Sequence, residues 1–286
     1  YIQSIVDELQ EKGISIKKYR TPLPLDLDLY LDLEADGTDA INDLVGKLLF
    51  LANRTRPDIG FAVSFLARFA SAPNKAHRDL ALRVIGYLLE TIDEVMNIGS
   101  PSGEIILSAS ADASFIRGGE SKGQLGYSLF LSDDSAPVLS KSQRDKNVAI
   151  SSFHAEVNAL VEVLKCIIWA RQLLKELGFE QFGPTIADQD NTGVIDAVDK
   201  LSNDSRTRYL VNKLNFVREH SMEGTIHPRY ADTGSNASDG ATKSLARAQL
   251  KLYRVAGLRG KAAARAERVI YLTKIHPQAS VASHEA

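Results

Sequence analysis

The chain has 286 residues, 44% of them hydrophobic and 24% charged, as expected for a globular protein of one large or two ordinary domains. Its net charge of −2 and pI near 6.4 argue mildly against a nucleic-acid binder, but they are compatible with a local basic patch on the surface. The single cysteine, Cys166, excludes an intrachain disulfide and indicates a reducing compartment, and no apolar run is long enough for a membrane helix.

The first hundred residues predict a mostly helical region. Helical spacing of apolar residues predicts helices over 1–13, 42–53, 59–69 and 75–91. Between the first two, residues 25–34 alternate leucine with mostly acidic residues at period two, which predicts a strand with one apolar and one acidic face.

From about residue 100 the pattern changes to short strands that later alternate with helices. Strands are predicted at 103–111, 124–131, 136–142, 184–189 and 224–231, and helices at 153–177, 191–200, 204–222 and 236–254. Three adjacent strands followed by helix-separated ones predict an α/β fold with a mixed sheet flanked by helices. A further helix is predicted at 262–269, and a loose tail beyond Pro277.

Four carboxylates have a regular placement in this α/β part. Asp112 and Asp190 end predicted strands, whereas Glu156 and Asp239 lie near the starts of predicted helices. Active groups of open α/β sheets gather at the carboxyl ends of the strands, so these side chains are expected to converge. Converging carboxylates repel one another unless cations lie between them, and the group therefore predicts a divalent-metal nuclease centre.

Each acid alone has a simpler interpretation. Glu156 or Asp239 would complement a helix dipole, Asp112 would occupy a turn, and Asp190 with Asn191 would cap the next helix. Only the strand–helix–strand–helix order of all four favours a shared site.

The order of the acids also indicates the class of nuclease. Proofreading exonucleases carry a second carboxylate two residues after the first, where this chain has Ser114. Integrases and transposases place the glutamate after both strand aspartates, whereas Glu156 precedes Asp190. The order fits ribonuclease H. A DNA-directed transposase or resolvase is the disfavoured alternative within the same superfamily.

Six motifs in one order resemble the C-terminal part of reverse transcriptase polyproteins of copia-class LTR retrotransposons. They are Leu-Val-Gly-Lys-Leu-Leu-Phe-Leu at 44–51, Thr-Arg-Pro-Asp-Ile-Gly-Phe-Ala-Val at 55–63, Ser-Ala-Asp-Ala-Ser at 110–114, Ala-Ile-Ser-Ser-Phe-His-Ala-Glu-Val at 149–157, Asp-Asn-Thr-Gly-Val-Ile at 190–195 with Ser-Arg-Thr-Arg at 205–208, and Ala-Ser-Asp-Gly-Ala-Thr-Lys at 237–243. The resemblance covers roughly residues 1–250 and lacks the polymerase palm, so polymerase activity is not expected.

The resemblance implies a domain organisation. Residues 1–38 would be a remnant of the polymerase thumb with a linker, and 39–99 a helical connection segment. Residues 100–256 would form an RNase H-like domain with a mixed five-stranded sheet flanked by helices, and 257–286 a partly disordered tail.

The resemblance also implies an activity: metal-dependent endonucleolytic cleavage of the RNA strand in RNA–DNA hybrids, within a reverse transcriptase. Asp112, Glu156, Asp190 and Asp239 would be catalytic and hold two Mg²⁺ ions, with Mn²⁺ as an alternative, because all the ligands are hard oxygens. The residues expected to bind the phosphates or the sugar 2′-hydroxyls of the substrate are Arg206, Arg208, Lys141, Arg144, Ser152, Asn191 and Thr207.

The expected partners are the hybrid and an upstream polymerase domain, with a homodimer as an option and no membrane. The expected location is cytoplasmic, in a virus-like particle for a live element, with the nucleus as an alternative. A catalytically silent retroelement module with a structural or nucleic-acid-binding role is the competing hypothesis.

Two histidines and one tryptophan have separate expectations. Some cellular ribonucleases H carry a histidine just before the last carboxylate, but residues 232–236 contain none. His154 is a candidate for a role near the metals, whereas His227 is expected to be structural. Trp169 is expected in the core.

Overall fold

A computed structural model of the chain describes residues 1–99, 103–115, 122–200, 205–232 and 236–275. Its first part is helical, as predicted: α1 spans Ile2–Glu11, α2 Asn42–Arg54, α3 Gly60–Leu66 and α4 Lys75–Glu90. Leu48, Phe65 and Tyr87 are fully buried between these helices. Each helix has a single apolar face directed at the others, which is why helical spacing alone located all four.

The strand predicted at 25–34 is wrong. This segment contains only a short 3₁₀ turn, Asp28–Tyr30, and belongs to no sheet. Leu23 and Leu27 insert into the helical core, while Leu25 and Leu29 are exposed. Period-two alternation marks a strand only where a neighbouring strand can pair with it, and here the neighbours are helices.

A buried ion pair holds the helical part together at the Thr-Arg-Pro-Asp motif. The Arg56 guanidinium donates to both carboxylate oxygens of Asp58, at 2.9 and 2.8 Å, and the Tyr87 hydroxyl donates to Asp58 at 2.7 Å. A further Arg56 nitrogen donates to the backbone carbonyl of Thr91 at 3.2 Å, beyond the end of α4. Burial alone would raise the pKa of Asp58, but the guanidinium outweighs it and lowers that pKa.

The second part is built on a five-stranded mixed sheet, which confirms the predicted fold class. Its strands are β1 Ser108–Ser114, β2 Gln124–Phe130, β3 Leu139–Arg144, β4 Thr185–Gln189 and β5 Ile226–Tyr230. They lie in the order β3-β2-β1-β4-β5. Strand β2 is antiparallel to both of its neighbours, β1 and β3, whereas β4 and β5 run parallel to β1. The first and third strands begin later than predicted, at Ser108 and Leu139.

Three helices pack together on one face of the sheet. Helix α5 spans Ser152–Glu176, α6 Thr192–Asp199 and α7 Val211–Met222, the last preceded by a 3₁₀ segment, Ser205–Leu210. Two side-chain caps start α5 and α6, as expected for polar residues before apolar runs. The α5 helix buries Leu160, Leu164 and Ile167 against β1 and β2, and thereby sets the direction in which its first turns approach the strand ends.

The last part differs from the prediction of one helix over 236–254. The chain forms a 3₁₀ turn, Asp239–Ala241, and only then α8, Arg247–Arg259, and α9, Lys261–Ile275. The helix predicted at 262–269 is thus confirmed and longer; residues beyond 275 lie outside the described part. Leu250 and Tyr253 of α8 join the core of the N-terminal helices. None of the described helices is both long and apolar enough to cross a membrane.

Candidate metal centre

Three of the four predicted carboxylates converge. Asp112, Glu156 and Asp190 each offer an oxygen atom, and these atoms lie within 4.8 Å of one another. The sheet brings the two aspartates together because Ser110 of β1 pairs with Asp188 of β4 in parallel register, and each aspartate lies two residues further along its strand direction. Asp112 lies inside β1 rather than after it, paired with Gly126, which corrects its predicted position at the strand end.

Glu156 reaches the same point from α5. The Ser151 side chain accepts a hydrogen bond from the backbone N–H of His154 and starts this helix, so that Glu156 lies in its second turn. A helix start positioned by a cap and by a long buried face places the carboxylate with little freedom.

The cluster disfavours its own ionisation when no cation is bound. Burial is the largest cause that raises the pKa of Asp112 to about 7, followed by the charges of Asp239 and Asp190. Burial likewise raises the pKa of Glu156 to about 9, with further increases from Asp112 and Asp190. The side chains are nearly inaccessible, with 4% exposed for Asp112 and 6% for Glu156. Their ionised forms therefore need a positive charge beside them.

The donor set fits a divalent cation. One carboxylate oxygen of Glu156, Oε2, is buried without a hydrogen-bond partner among the described residues. Such an atom is costly unless something else contacts it. Carboxylate oxygens are the hard ligands that Mg²⁺ and Mn²⁺ prefer, and three residues offer such oxygens within 4.8 Å of one another.

Asp239 lies beside this group rather than within it. It belongs to the 3₁₀ turn and forms an ion pair with Lys243, while its charge raises the pKa of Asp112. Burial opposes the charge on Lys243, but the hydrogen bond to Asp239 outweighs burial and raises the pKa of the ammonium group. The Thr242 hydroxyl donates a short hydrogen bond to Oδ2 of Asp112. Sequence reasoning assigned no role to Thr242 or Lys243, although both belong to the closing motif that it singled out.

The turn that carries Asp239 packs directly onto the sheet. A Cβ at Gly126 would lie 2.7 Å from Cβ of Ala241 and 2.9 Å from Cγ2 of Thr242, so glycine is what allows this approach. The Ser142 hydroxyl donates to the carbonyl of Ala241 at 2.5 Å. Strands β2 and β3 therefore determine how closely the 3₁₀ turn that carries Asp239 approaches Asp112.

The predicted substrate-binding residues near α5 to α7 are only partly described. Arg208 is exposed on the 3₁₀ segment before α7, and Ser152 is exposed at the first position of α5. The side-chain carbonyl of Asn191 caps α6 by accepting from the N–H of Val194 at 3.3 Å, so a sugar contact by Asn191 would have to use its amide nitrogen. The side chains of Arg206 and Thr207 lie outside the described part of the structure.

The remaining predicted residues lie further along the sheet or have local partners. Lys141 and Arg144 belong to β3, separated from β1 by β2, and Lys141 donates to Oδ1 of Asn53 at 2.8 Å. Nδ1 of His154 accepts from the backbone N–H of Ile150 at 3.3 Å.

Two further expectations concern exposure. His227 is an exposed residue of β5. Trp169 is 61% exposed on α5, so the expectation of a core tryptophan is wrong.

Several curated proteins are similar to this chain. It is 28% identical to the retrovirus-related Pol polyprotein from transposon TNT 1-94 of Nicotiana tabacum, over 88% of the chain and 19% of that protein. It is 27% identical to that of transposon RE1 of Arabidopsis thaliana, over 82% and 16%. The secreted RxLR effector protein 161 of Plasmopara viticola is 31% identical over 44% of the chain and 87% of its own length.

Among solved structures, LC11-RNase H1, isolated from compost by a metagenomic approach, aligns with a TM-score of 0.39 and 14% identity, over 48% of this chain and 92% of that one. No protein-family model matches the chain. The chain spans less than a fifth of the length of the transposon polyproteins that it matches. Its homologues are retrovirus-related Pol polyproteins from plant copia-type transposons, and the similarity extends over 82 to 88% of the chain.

Proposed function

We propose that the chain is the ribonuclease H of a retrotransposon reverse transcriptase, a metal-dependent endonuclease that cleaves the RNA strand of RNA–DNA hybrids. The observation that carries this proposal is the convergence of Asp112, Glu156 and Asp190 within 4.8 Å at the edge of a mixed sheet, with a buried oxygen of Glu156 lacking a partner among the described residues. The homology to transposon polyproteins supports it.

The four carboxylates would hold the ions: Asp112, Glu156 and Asp190 as the inner group, and Asp239 from the side. Bound Mg²⁺ ions would activate the attacking water and stabilise the leaving 3′ oxygen. Thr242 keeps Asp112 in one orientation through its hydrogen bond. Since burial raises the pKa of Glu156 to about 9, this carboxyl carries a proton at neutral pH until an ion displaces it.

The substrate would be gripped mainly through its phosphates. Arg208 and the neighbouring Arg206 are the leading candidates for phosphate contacts, and Ser152 and Thr207 for the 2′-hydroxyl that separates RNA from DNA. Lys141 and Arg144 would bind phosphates of the duplex further from the carboxylates, since β3 is the edge strand of the sheet. An upstream polymerase domain and a cytoplasmic particle remain part of this proposal.

The test is cleavage of an end-labelled RNA–DNA hybrid by the 286-residue chain in Mg²⁺ and in Mn²⁺. Asp112→Asn should lower the rate by at least about a thousandfold, as removing a principal metal ligand does. The matched control is Asp196→Asn, an exposed acid on α6 that forms an ion pair with Lys200. An inactive wild-type chain, or an Asp112→Asn variant with wild-type activity, refutes the proposal.

A silent module is the second candidate, and one observation favours it. The Lys243 ammonium group already supplies a positive charge at Asp239 and offsets a small part of the rise in the pKa of Asp112, so some of the repulsion is relieved without an ion. Calorimetric titration with Mn²⁺ separates the two: a silent module binds no ion at the cluster, whereas the nuclease releases heat and protons on binding.

A further inference from the structure

An apolar stripe on α5 is exposed to solvent. Trp169 is 61% exposed, Leu173 38% and Leu177, the residue that caps the end of α5, 61%, and they follow one another at intervals of four residues. Successive residues at this spacing lie on one side of a helix, so the three form a continuous surface. The opposite side of α5 buries Ile167, Ala170 and Leu174 against the sheet and α7. A large exposed tryptophan within an apolar stripe is typical of an interaction surface.

Charges flank this stripe in a self-complementary pattern. Lys165 lies before Trp169 and Glu176 lies after Leu173, both exposed. The two charges are equally far, in opposite directions, from a point midway between residues 170 and 171. If two copies of α5 cross antiparallel about a two-fold axis at that point, Lys165 of each copy faces Glu176 of the other. Two identical ion pairs would therefore form between the two copies of this helix face.

We propose that α5 is a homodimer interface in which two chains pack their Trp169 stripes antiparallel. In this arrangement Trp169 of each copy lies opposite Gln172 of the other copy, next to its Leu173. The large aromatic side chain supplies most of the apolar area, and the paired charges fix the register.

The existing contacts of the flanking charges permit this exchange. Within one chain Lys165 pairs with Glu162 at 2.6 Å, and Glu176 accepts from the Gln172 amide at 2.8 Å. Both contacts are between solvent-exposed side chains, which contribute little to stability and are readily replaced. No buried group has to move for the second copy to dock.

The dimer would be weak and would leave both metal centres accessible. The stripe from Lys165 to Leu177 is about 18 Å long, and it buries only a few hundred Å² per copy, below the roughly 800 Å² of a standard interface. Dissociation constants in the micromolar range are therefore expected. Glu156 lies thirteen residues before Trp169, about 20 Å along the helix axis, so the second copy does not cover the cluster.

The test is sedimentation velocity of the full chain between about 1 and 200 μM, combined with tryptophan emission. Trp169 is the only tryptophan, so its emission should shift to shorter wavelength as the dimer forms. Trp169→Ala should weaken dimerisation by roughly thirtyfold or more, as expected for a central aromatic anchor. Leu29→Ala is the control, since Leu29 is 70% exposed on the helical part of the chain.

The register has its own test. Lys165→Glu and Glu176→Lys should each weaken the dimer roughly tenfold, and the double variant should restore it, because both pairs are then re-formed with reversed sign. Circular dichroism and the melting temperature at concentrations where the wild type is monomeric should be unchanged in all variants, since every altered side chain is exposed. A monomer at all concentrations, or a dimer indifferent to Trp169→Ala, overturns the interface; a double variant that stays weak overturns the antiparallel arrangement.

Discussion

Replacing Asp112 with asparagine should abolish hydrolysis and, at the same time, stabilise the metal-free protein at pH 8. The side chain is 4% exposed, and burial together with Asp239 and Asp190 raises its pKa to about 7. The unfolded chain titrates the same group near 3.8. The folded protein therefore holds this proton more tightly than the unfolded chain does.

The consequence for stability has a definite sign. The contribution of protonated Asp112 is complete below pH 3.8 and is lost as the pH rises through about 7. A shift of about three pKa units corresponds to an upper limit of about 4 kcal/mol. Because the charge is shared with neighbouring carboxylates, a gain of about 2–4 kcal/mol is expected for Asp112→Asn at pH 8. At pH 5, where the unfolded chain is ionised but the folded group is neutral, the gain should be at most about 1.6 kcal/mol, and it should vanish below about pH 4.

The assay is thermal unfolding in EDTA, followed by circular dichroism. The variant should melt roughly 5–10 °C above wild type at pH 8. Adding Mg²⁺ should raise the melting temperature of wild type but not that of the variant, because only wild type retains the ligand. An Asp112→Asn protein less stable than wild type at pH 8 in EDTA, or equally stabilised at pH 5, would refute the electrostatic reasoning.

Three other perturbations test the architecture. Arg56→Met should lower the free energy of unfolding by about 3–5 kcal/mol in a urea titration, because it leaves the buried carboxylate of Asp58 without its cationic partner. Lys261→Met should cost less, about 1–2 kcal/mol in the same titration, because this ammonium group pairs with buried Asp188 at 3.1 Å but Arg229 continues to donate to that carboxylate. Gly126→Ala should displace the turn that carries the last carboxylate and lower hybrid cleavage at least tenfold, whereas Gly46→Ala, with no atom within 4 Å of the added Cβ, should leave activity unchanged.

The elements that were predicted correctly from the sequence are those that depend on the spacing of residues close together along the chain. The four N-terminal helices and α5 have apolar faces at helical spacing, and Ser151 and Asn191 cap helices at positions where polar residues precede such faces. The convergence of three carboxylates was also expected from the order of strands and helices, because parallel neighbours end at one edge of a sheet.

The two elements that were predicted wrongly, the strand at 25–34 and the single helix at 236–254, depend on contacts with distant parts of the chain. Residues 25–34 alternate like a strand but find no strand to pair with, and the segment after Asn236 bonds to β1 instead of forming a helix. There, the Asn236 amide donates to the carbonyl of Ala111 at 2.8 Å, and the Ser238 hydroxyl to that of Ser110 at 3.1 Å. Such long-range contacts override local preference because each satisfies a buried polar group.

The amino-acid sequence alone determined the class of fold, the helical and strand periodicities, and which acids belong together, since all of these depend on neighbours along the chain. The tertiary structure decided which of those acids share a common centre, that Lys243 and Thr242 contact them, and that Trp169 faces solvent. Burial, pKa and ion pairing depend on which distant elements pack against a residue, and residue spacing along the chain does not encode that packing.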